Sequence, residues 1–497
     1  MSRQPSETVE SRAGAEAELQ QPPPPALEKK LDALPQLVQV QGLSSDDSSL
    51  QLEAIKELCE LLSIERNPPI QDVIDSGAVP FFVQLLSRDD RPQIQFEAAK
   101  ALTCIVKGTS ENTKVVLDQG AVPIFVKLLS SPSDDIRQEA VWALGNMACT
   151  SPAFRDILLS HGVLLPLLQL LKGSPRLSLQ RNSTWALSII CQGGPQLNFE
   201  LVKLALQVLR QLIHSQDEEV LIAACWALSF LSSGFDDSDK IQALVDVGVC
   251  PRLVELLTHS SHSVRFPALS AICKIANGDD AQIQCIIDHQ ALPCFLDILM
   301  KDEDEGKKGK VCWIIAQFTN TNKEQIQAVI DGNIIGPLVH LMQTAELRVK
   351  REAALAISNA TAVGTPDQTK YLVSQGCIKA FCDLLDCSET DILEACLDGL
   401  KNILIVGKDM KSSGASDENI YVRMIEDAGG FFEIEDLQKH DDDTIHEMAV
   451  DLLVTFWPEM FEAPKRLMSE EVDEAQTGMG SSDDGEVVDP PGGSNLG

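Results

Sequence analysis

Aromatic residues are scarce in this sequence: they make up 5% of its 497 residues, with five Trp and two Tyr. Hydrophobic residues of all kinds reach 44%, so a large core must be aliphatic and rich in Ala. Alternating runs of β-branched residues are also few, whereas Leu, Ala, Ile, Gln, Lys and Glu come in long blocks. This composition argues against a β-sheet protein and predicts helices throughout.

Positive charge is scarce as well. The chain has 40 Lys and Arg against 74 Asp and Glu, a formal net charge of −34. Eight of these acids and no Lys or Arg follow Arg466, which leaves −26 on the rest of the chain. Such a surface repels phosphate backbones, so we expect no nucleic-acid ligand and no anionic membrane. It suits a basic partner; acidity that serves only solubility is the alternative.

Targeting and membrane segments are missing from the sequence. Met1–Ala26 is polar and has no apolar signal-peptide core. No stretch approaches the ~18 uninterrupted apolar residues of a membrane span. The fourteen Cys are scattered without a Cys-x-x-Cys pair, as is typical of small core residues in a reducing compartment. We therefore expect an intracellular protein with no membrane insertion.

Catalytic and metal-binding motifs are absent too. The sequence has no Gly-rich phosphate loop, nucleophile elbow or His-Glu-x-x-His motif, and no Cys stands in an activating context. His259 and His262 share one turn, but no third ligand is near them. We predict no enzymatic activity, no cofactor and no metal site.

What the sequence does contain is a repeat. A Gly-apolar-apolar-Pro pattern, with weaker copies later in the chain, begins at Gly77, Gly120, Gly162, Gly248, Gln290, Gly332 and Gly376. Successive copies are 42–44 residues apart, except for one interval of 86 that holds a degenerate repeat. A period of about 40–47 residues is typical of armadillo and HEAT arrays. In each period a Gly ends one helix, a Pro opens a second, and a longer third helix follows, which favours the three-helix armadillo unit.

These observations predict an all-α fold, a right-handed superhelical solenoid of about nine or ten armadillo repeats. We place the solenoid at residues 44–464. Residues 1–43 form a polar, Pro-containing segment and residues 465–497 an acidic tail, and both have the composition of disordered chain.

Four of the five Trp recur at the repeat period. Trp142, Trp185 and Trp226 lie 43 and 41 residues apart, and Trp313 holds the equivalent place further along. Third helices line the concave face of such a solenoid, so we predict a ladder of indoles there. Slots between indoles can hold the alkyl stem and charge of Lys or Arg. The alternative is that these Trp are ordinary core between repeats.

Polar residues accompany the first of these indoles. Asn146 lies one turn after Trp142 and can both donate to and accept from the backbone of an extended peptide. Glu139 lies one turn before Trp142 and would attract a basic ligand. The third helix therefore predicts a groove for an extended basic peptide.

With Trp-x-x-x-Asn on a third helix of this period, the chain resembles the importin-α family from about Leu50 to Phe456. The resemblance implies an adaptor that binds basic nuclear-localisation signals of cargo in the concave groove and shuttles between cytoplasm and nucleus for protein import. It implies the following binding residues: Glu139, Trp142, Asn146, Trp185 and Trp226 in the principal site, and Trp313, Gln317, Glu352 and Asn359 in a smaller second site.

The chain departs from the family pattern within the groove. Lys100 and Cys104 stand where the first groove helix should carry Trp and Asn, and Ile189 replaces the Asn after Trp185. Lys100 would repel the cation of a ligand. We therefore expect weaker binding than in a receptor with a full ladder.

The N-terminal segment departs as well. The family normally opens with an Arg/Lys-dense segment that binds importin-β, but only Arg3, Arg12, Lys29 and Lys30 precede Gly42. We therefore expect no capture of importin-β through this segment. Basic cargo, importin-β and an export receptor are the partners that the resemblance implies. The alternative function is a specialised armadillo scaffold that binds a different protein ligand without acting in import.

Overall fold

The computed structural model describes residues 42–173, 175–193, 197–231 and 238–458, and every regular element in these residues is a helix. The predicted all-α class is therefore confirmed. The chain divides into two units, Met1–Cys294 and Phe295–Gly497.

The helices of the first unit follow the three-helix order that the repeat predicts. They are α1 Ser48–Leu62, α2 Ile70–Asp75, α3 Ala78–Leu86, α4 Pro92–Val106, α5 Ser110–Asp118, α6 Ala121–Leu128, α7 Asp134–Thr150, α8 Pro152–Ser160, α9 Leu164–Lys172, α10 Leu177–Cys191, α11 Phe199–Leu212, α12 Glu218–Leu231, α13 Ser238–Asp246, α14 Cys250–Leu256, α15 His262–Ala276 and α16 Asp280–Asp288.

Helix α17, Ala291–Lys301, contains the boundary between the units. The second unit continues with α18 Glu305–Thr319, α19 Lys323–Asp331, α20 Ile335–Thr344, α21 Leu347–Val363, α22 Pro366–Ser374, α23 Cys377–Cys382, α24 Thr390–Ser412, α25 Ile420–Asp427, α26 Gly430–Leu437 and α27 Asp443–Phe456.

Local sequence signals set the helix boundaries in each repeat. Thr109 begins α5 with a capping box, in which its hydroxyl accepts from the backbone N–H of Asn112. Gly120 then adopts a left-handed φ of 74° between α5 and α6. Pro123 lies in the first turn of α6, where its missing N–H has no helical partner to lose. The predicted left-handed conformation is confirmed at five of the repeat glycines, which are Gly77, Gly120, Gly162, Gly248 and Gly376.

Two repeats reach the same backbone conformation without glycine. Gln290, which begins a weaker copy of the sequence pattern, has a φ of 63°. In the copy that begins at Gly332, the left-handed residue is Asn333, with a φ of 55°, and Gly332 itself keeps a φ of −73°. Asn tolerates this region better than most residues with a Cβ atom.

The irregular repeats also have a structural explanation. In the degenerate repeat one long helix, α11, takes the place of two short ones before α12. The sequence inserts a Ser- and Gly-containing segment at residues 408–419, which lengthens the interval from Gly376 to Gly429 to 53 residues. Helix α24 continues through Ser412, so only the last part of that segment is loop. The predicted boundaries of the solenoid remain predictions, because residues 1–41 and 459–497 lie outside the described part of the chain.

Third helices pack on third helices within each unit. In the first unit the packed series is α1, α4, α7, α10, α12 and α15; in the second unit it is α18, α21, α24 and α27. Small residues such as Ala140 and Ala143 are fully buried at these contacts and let the helix axes approach. Large buried side chains from second helices, including Phe82 and Phe125, complete the core.

Membrane-spanning potential is limited to two bent helix pairs. Among the described residues, no single helix is long and apolar enough to cross a bilayer. The pairs Pro152–Ser160 with Leu164–Lys172 and Asp280–Asp288 with Ala291–Lys301 reach that length and composition only when two helices at 78° and 77° are taken together.

Candidate functional site

Helix α7 presents the predicted peptide-binding residues along one stripe. Its buried face consists of aliphatic residues and Ala from Ile136 to Ala148. Glu139, Trp142 and Asn146, which lie three and four residues apart, remain half-buried next to that face. The structure thus brings these three residues together, as the sequence predicts, with Asn146 one turn from the indole.

Trp185 of α10 lies beside them. A Cβ atom added at Gly145 would overlap the six-membered ring of Trp185, so this indole rests directly on the backbone of α7. Trp142 and Trp185 are both half-buried. Trp142 and Trp185 thus stand on adjacent packed helices, and Trp185 covers Gly145, the residue that precedes Asn146.

The neighbours of Trp226 on α12 differ from those expected for an indole of the predicted ladder. Its ring stacks on Phe230, with 5.5 Å between centroids and 14° between planes, and lies tilted against Phe266 at 5.9 Å. Phe230 lies four residues after Trp226, the position that Asn146 has after Trp142, so the sequence could have revealed it. Trp226 belongs to an aromatic cluster, because its neighbours on α12 and α15 are rings rather than amides.

Lys107 is a neighbour of Trp142 that the sequence reasoning missed. It is the C-terminal cap of α4, and its Nζ lies 4.7 Å from the ring centroid of Trp142. The side chain is exposed at the end of the helix. A cation–π contact of this kind contributes about 0.5–1 kcal/mol at an exposed site. The available signal was its position seven residues, or two helical turns, after Lys100.

Glu139 is partly withdrawn from water between α4 and α7. Burial raises the pKa of its carboxyl above the ordinary value, while a hydrogen bond from Thr103 and the charges of Lys107 and Lys100 oppose that rise. Glu97 adds a repulsion that raises the pKa further. The acid predicted to attract a ligand thus already interacts with two lysines of its own chain.

The second predicted site lies in the second unit, on the packed helices α18 and α21. Trp313 and Gln317 of α18 are half-buried, as are Glu352 and Asn359 of α21. The side-chain amide of Asn359 donates to the carbonyl of Ala316 at 3.1 Å. Within the part of the chain that the structure describes, its carbonyl oxygen and second N–H have no hydrogen-bond partner.

Two neighbours modify this second site. The Glu352 carboxylate pairs with Arg351 at 2.8 Å, and Arg351 also approaches Asp391 at 3.4 Å. Leu355, in the place of a ladder Trp, is 37% exposed and offers no aromatic ring. The second site therefore has one indole, two amides and a partly neutralised acid.

Asn402 of α24 continues the amide series but was missed by the sequence reasoning. It lies 43 residues after Asn359, and its amide donates to the hydroxyl of Thr361 at 3.2 Å. The repeat period alone could have identified it.

A cluster of two cysteines and a histidine also escaped the sequence reasoning. In the described part of the first unit, ligand atoms of Cys250, Cys285 and His289 lie within 4.8 Å of one another. The Nδ1 of His289 lies 2.6 Å from the Cys285 carbonyl and donates to it, which removes that nitrogen as a ligand. Burial raises the pKa of both thiols, which favours their protonated forms.

The histidine pair considered at the sequence level serves a turn. The Nδ1 of His259 accepts a hydrogen bond from the backbone N–H of Ser261 at 3.1 Å, which fixes the residues before α15. His262, the first residue of that helix, is exposed.

Comparison with known proteins agrees with this architecture. The Armadillo/beta-catenin-like repeat family matches residues 66–105, 109–149, 151–192, 200–233, 237–276, 322–362 and 365–405, and an atypical Arm repeat matches residues 419–471. An engineered protein of known crystal structure is similar with a TM-score of 0.73 and 28% identity, over 85% of this chain and 98% of its own.

Curated relatives are similar over most of the chain. "Importin subunit alpha-1b" of Oryza sativa subsp. japonica is 56% identical over 434 residues, which cover 87% of this chain and 80% of the relative. "Importin subunit alpha-2" of Arabidopsis thaliana is 51% identical over 471 residues, 95% of this chain and 86% of the relative.

Proposed function

Because the chain belongs to the importin subunit alpha family, we propose that it is an adaptor that binds basic nuclear-localisation signals of cargo for import into the nucleus. The principal binding site is the row of residues Glu139, Trp142, Asn146 and Trp185 on α7 and α10, and Trp226 extends it. Trp313, Gln317, Glu352 and Asn359 form the second site. The armadillo scaffold with a different ligand is not favoured by any of these observations.

The arrangement of Trp142, Trp185 and Asn146 supports this proposal best. Two half-buried indoles on adjacent helices can enclose the methylene stem of a Lys or Arg and attract its charge. Asn146 can donate to and accept from the peptide backbone, so it holds an extended chain whatever its side chains are. The indoles bind the cationic side chains of the ligand, and the amide of Asn146 binds its backbone. Together these contacts recognise an extended basic peptide.

The partners follow from the same family membership. We propose basic cargo and importin-β as partners of the chain, and an export receptor as a further one. The adaptor acts by binding alone, without catalysis or a cofactor, and shuttles between cytoplasm and nucleus.

Replacing both indoles of the principal slot tests the proposed function. Trp142→Ala with Trp185→Ala removes two walls, each worth ~1–2 kcal/mol where the contact is desolvated. We expect the affinity for a fluorescent basic peptide to fall at least about tenfold in anisotropy titrations.

The control is Phe432→Ala, which truncates an aromatic ring that is 68% exposed on α26. It should bind the peptide like the unaltered chain. Unchanged affinity in the double variant, with helix content intact by circular dichroism, would exclude this groove as the binding site.

A further inference from the structure

We propose that Lys107 occupies the cation position on the α4 side of Trp142, so that the part of the principal groove that binds the peptide's cations begins one position later, between Trp142 and Trp185. If Lys107 occupies this position, the preferred ligand is a basic peptide whose residue next to α4 is uncharged or acidic. This inference rests on the proposed function.

The position of Lys107 on Trp142 is supported by two interactions. Its Nζ lies 4.7 Å from the indole centroid, a distance at which the ring quadrupole attracts a cation. Lys107 also caps the C-terminus of α4, where the last carbonyls of the helix favour positive charge. In the part of the chain that the structure describes, it forms no ion pair that would draw it elsewhere.

The direction of approach follows from helix packing. Helix α7 packs on α4 on one side and on α10 on the other. Lys107 comes from α4, so it reaches Trp142 from the side opposite to Trp185. The slot on the α4 side is therefore closed, and the slot between Trp142 and Trp185 stays open.

Charge on the α4 side is balanced within the chain. Lys100 and Lys107 lie two turns apart on α4, and both interact with the half-buried Glu139 of α7. Glu97 is the other acid that acts on Glu139. Lys100 and Lys107 thus offset part of the charge of Glu139, so this acid attracts a ligand cation less strongly.

The α10 side differs in this respect. Arg181, one turn before Trp185, pairs with Asp217 and lies 3.4 Å from Glu219 at the start of α12. Its charge is thus held on the far side of α10, away from α7. The slot between Trp142 and Trp185 is the one that a ligand cation can enter.

The test is a double-mutant cycle between protein and peptide. The probe is a fluorescent peptide with four adjacent cations between Gly-Ser flanks, together with its four single Ala variants. Lys107→Met keeps the methylene stem and removes the charge. Lys114→Met, an exposed lysine on α5, changes the net charge equally and serves as the control.

We expect Lys107→Met to bind the parent peptide about 3- to 30-fold more tightly than the control does. This gain should vanish with one of the four Ala peptides, which identifies the ligand residue on the α4 side. Lys107→Arg should bind like the unaltered chain, because a guanidinium also occupies the indole.

The results that overturn the inference are distinct from failure of the proposed function. If Lys107→Met and Lys114→Met bind the parent peptide equally, and binding still requires Trp142 and Trp185, the inference is wrong and the proposed function stands. If neither the unaltered chain nor any variant binds the peptide, both are wrong.

Discussion

At the scale of single residues, burial decides how much a charge in the groove can attract. Glu139 is the acid nearest to Trp142 in sequence, and its burial raises the pKa of its carboxyl. Glu352 of the second site has a side chain that is only 14% exposed and pairs with Arg351. Glu139 is partly buried and Glu352 is paired with Arg351. Each therefore attracts a ligand cation less strongly than an exposed, unpaired glutamate would.

This environment predicts a pH dependence of peptide binding. Because its raised pKa lets Glu139 take up a proton at a higher pH than exposed carboxylates do, the site loses negative charge as the pH falls from neutral toward the ordinary range of carboxyl groups. A peptide without His or acidic residues keeps its own charge over that range. We expect its affinity to fall severalfold in anisotropy titrations across this range.

Glu139→Gln identifies the group responsible. The variant should bind more weakly near neutral pH and vary less with pH than the unaltered chain. If both proteins show the same pH profile, another group causes the dependence.

At the scale of elements, the site is built by contact between third helices. Gly145 is the clearest example, since the ring of Trp185 occupies the space where a side chain of α7 would begin. The missing side chain lets α10 lay its indole on the α7 backbone, next to Asn146. One glycine within a helix therefore sets how closely Trp185 approaches α7.

Gly145→Ala should separate binding from stability. The added methyl group overlaps Trp185 and must displace it. Ala also improves the helix by about 1 kcal/mol, which offsets part of the steric cost. We expect peptide affinity to fall about 3- to 10-fold with a small change in melting temperature.

Gly309→Ala in α18 is the matched control. There the nearest atom to the new Cβ is a methyl carbon of Val349 at 3.7 Å, an ordinary contact. This variant should be slightly more stable and bind the same peptide equally well. If the two variants bind alike, the slot does not depend on Gly145.

At the scale of the whole molecule, charge favours basic partners at long range. The net charge of −34 gives a field that raises the encounter rate with a basic peptide and is screened by salt. The N-terminal segment shares this sign: Met1–Gly42 has four Lys and Arg against six Asp and Glu. It lacks the excess of cations with which a basic segment binds an acidic surface.

We therefore expect deletion of Met1–Gly42 to leave any association with importin-β unaltered. Pull-down of the full chain and of the shortened chain with tagged importin-β measures this directly. Deletion of the residues after Arg466 is the control for loss of a terminal segment. Capture that disappears only when Met1–Gly42 is removed would show that this segment binds despite its charge.

The sequence predicted what depends on periodicity and missed what depends on side-chain direction. The helices, the left-handed glycines and the grouping of Trp142 with Asn146 follow from residue spacing, which a solenoid converts directly into position. Lys107 could not be assigned to Trp142, because an exposed lysine at a helix end can turn in many directions. The environment of Trp226 depends on Phe266, which lies on the neighbouring third helix and shares no motif with it.

Among the third helices of a unit, each packs only on those next to it, and this also determines the order in which the helices unfold locally. Each of these helices rests on the one about 43 residues before it, so folding closes short loops and needs no distant pairing. Among the residues from 42 onward that the structure describes, helix α1 has a third-helix neighbour on one side only, whereas α7, α10 and α12 have one on each side within the first unit. Fraying therefore starts outside the principal groove, and the amide hydrogens of the peptide-binding helices exchange with solvent later than those of α1.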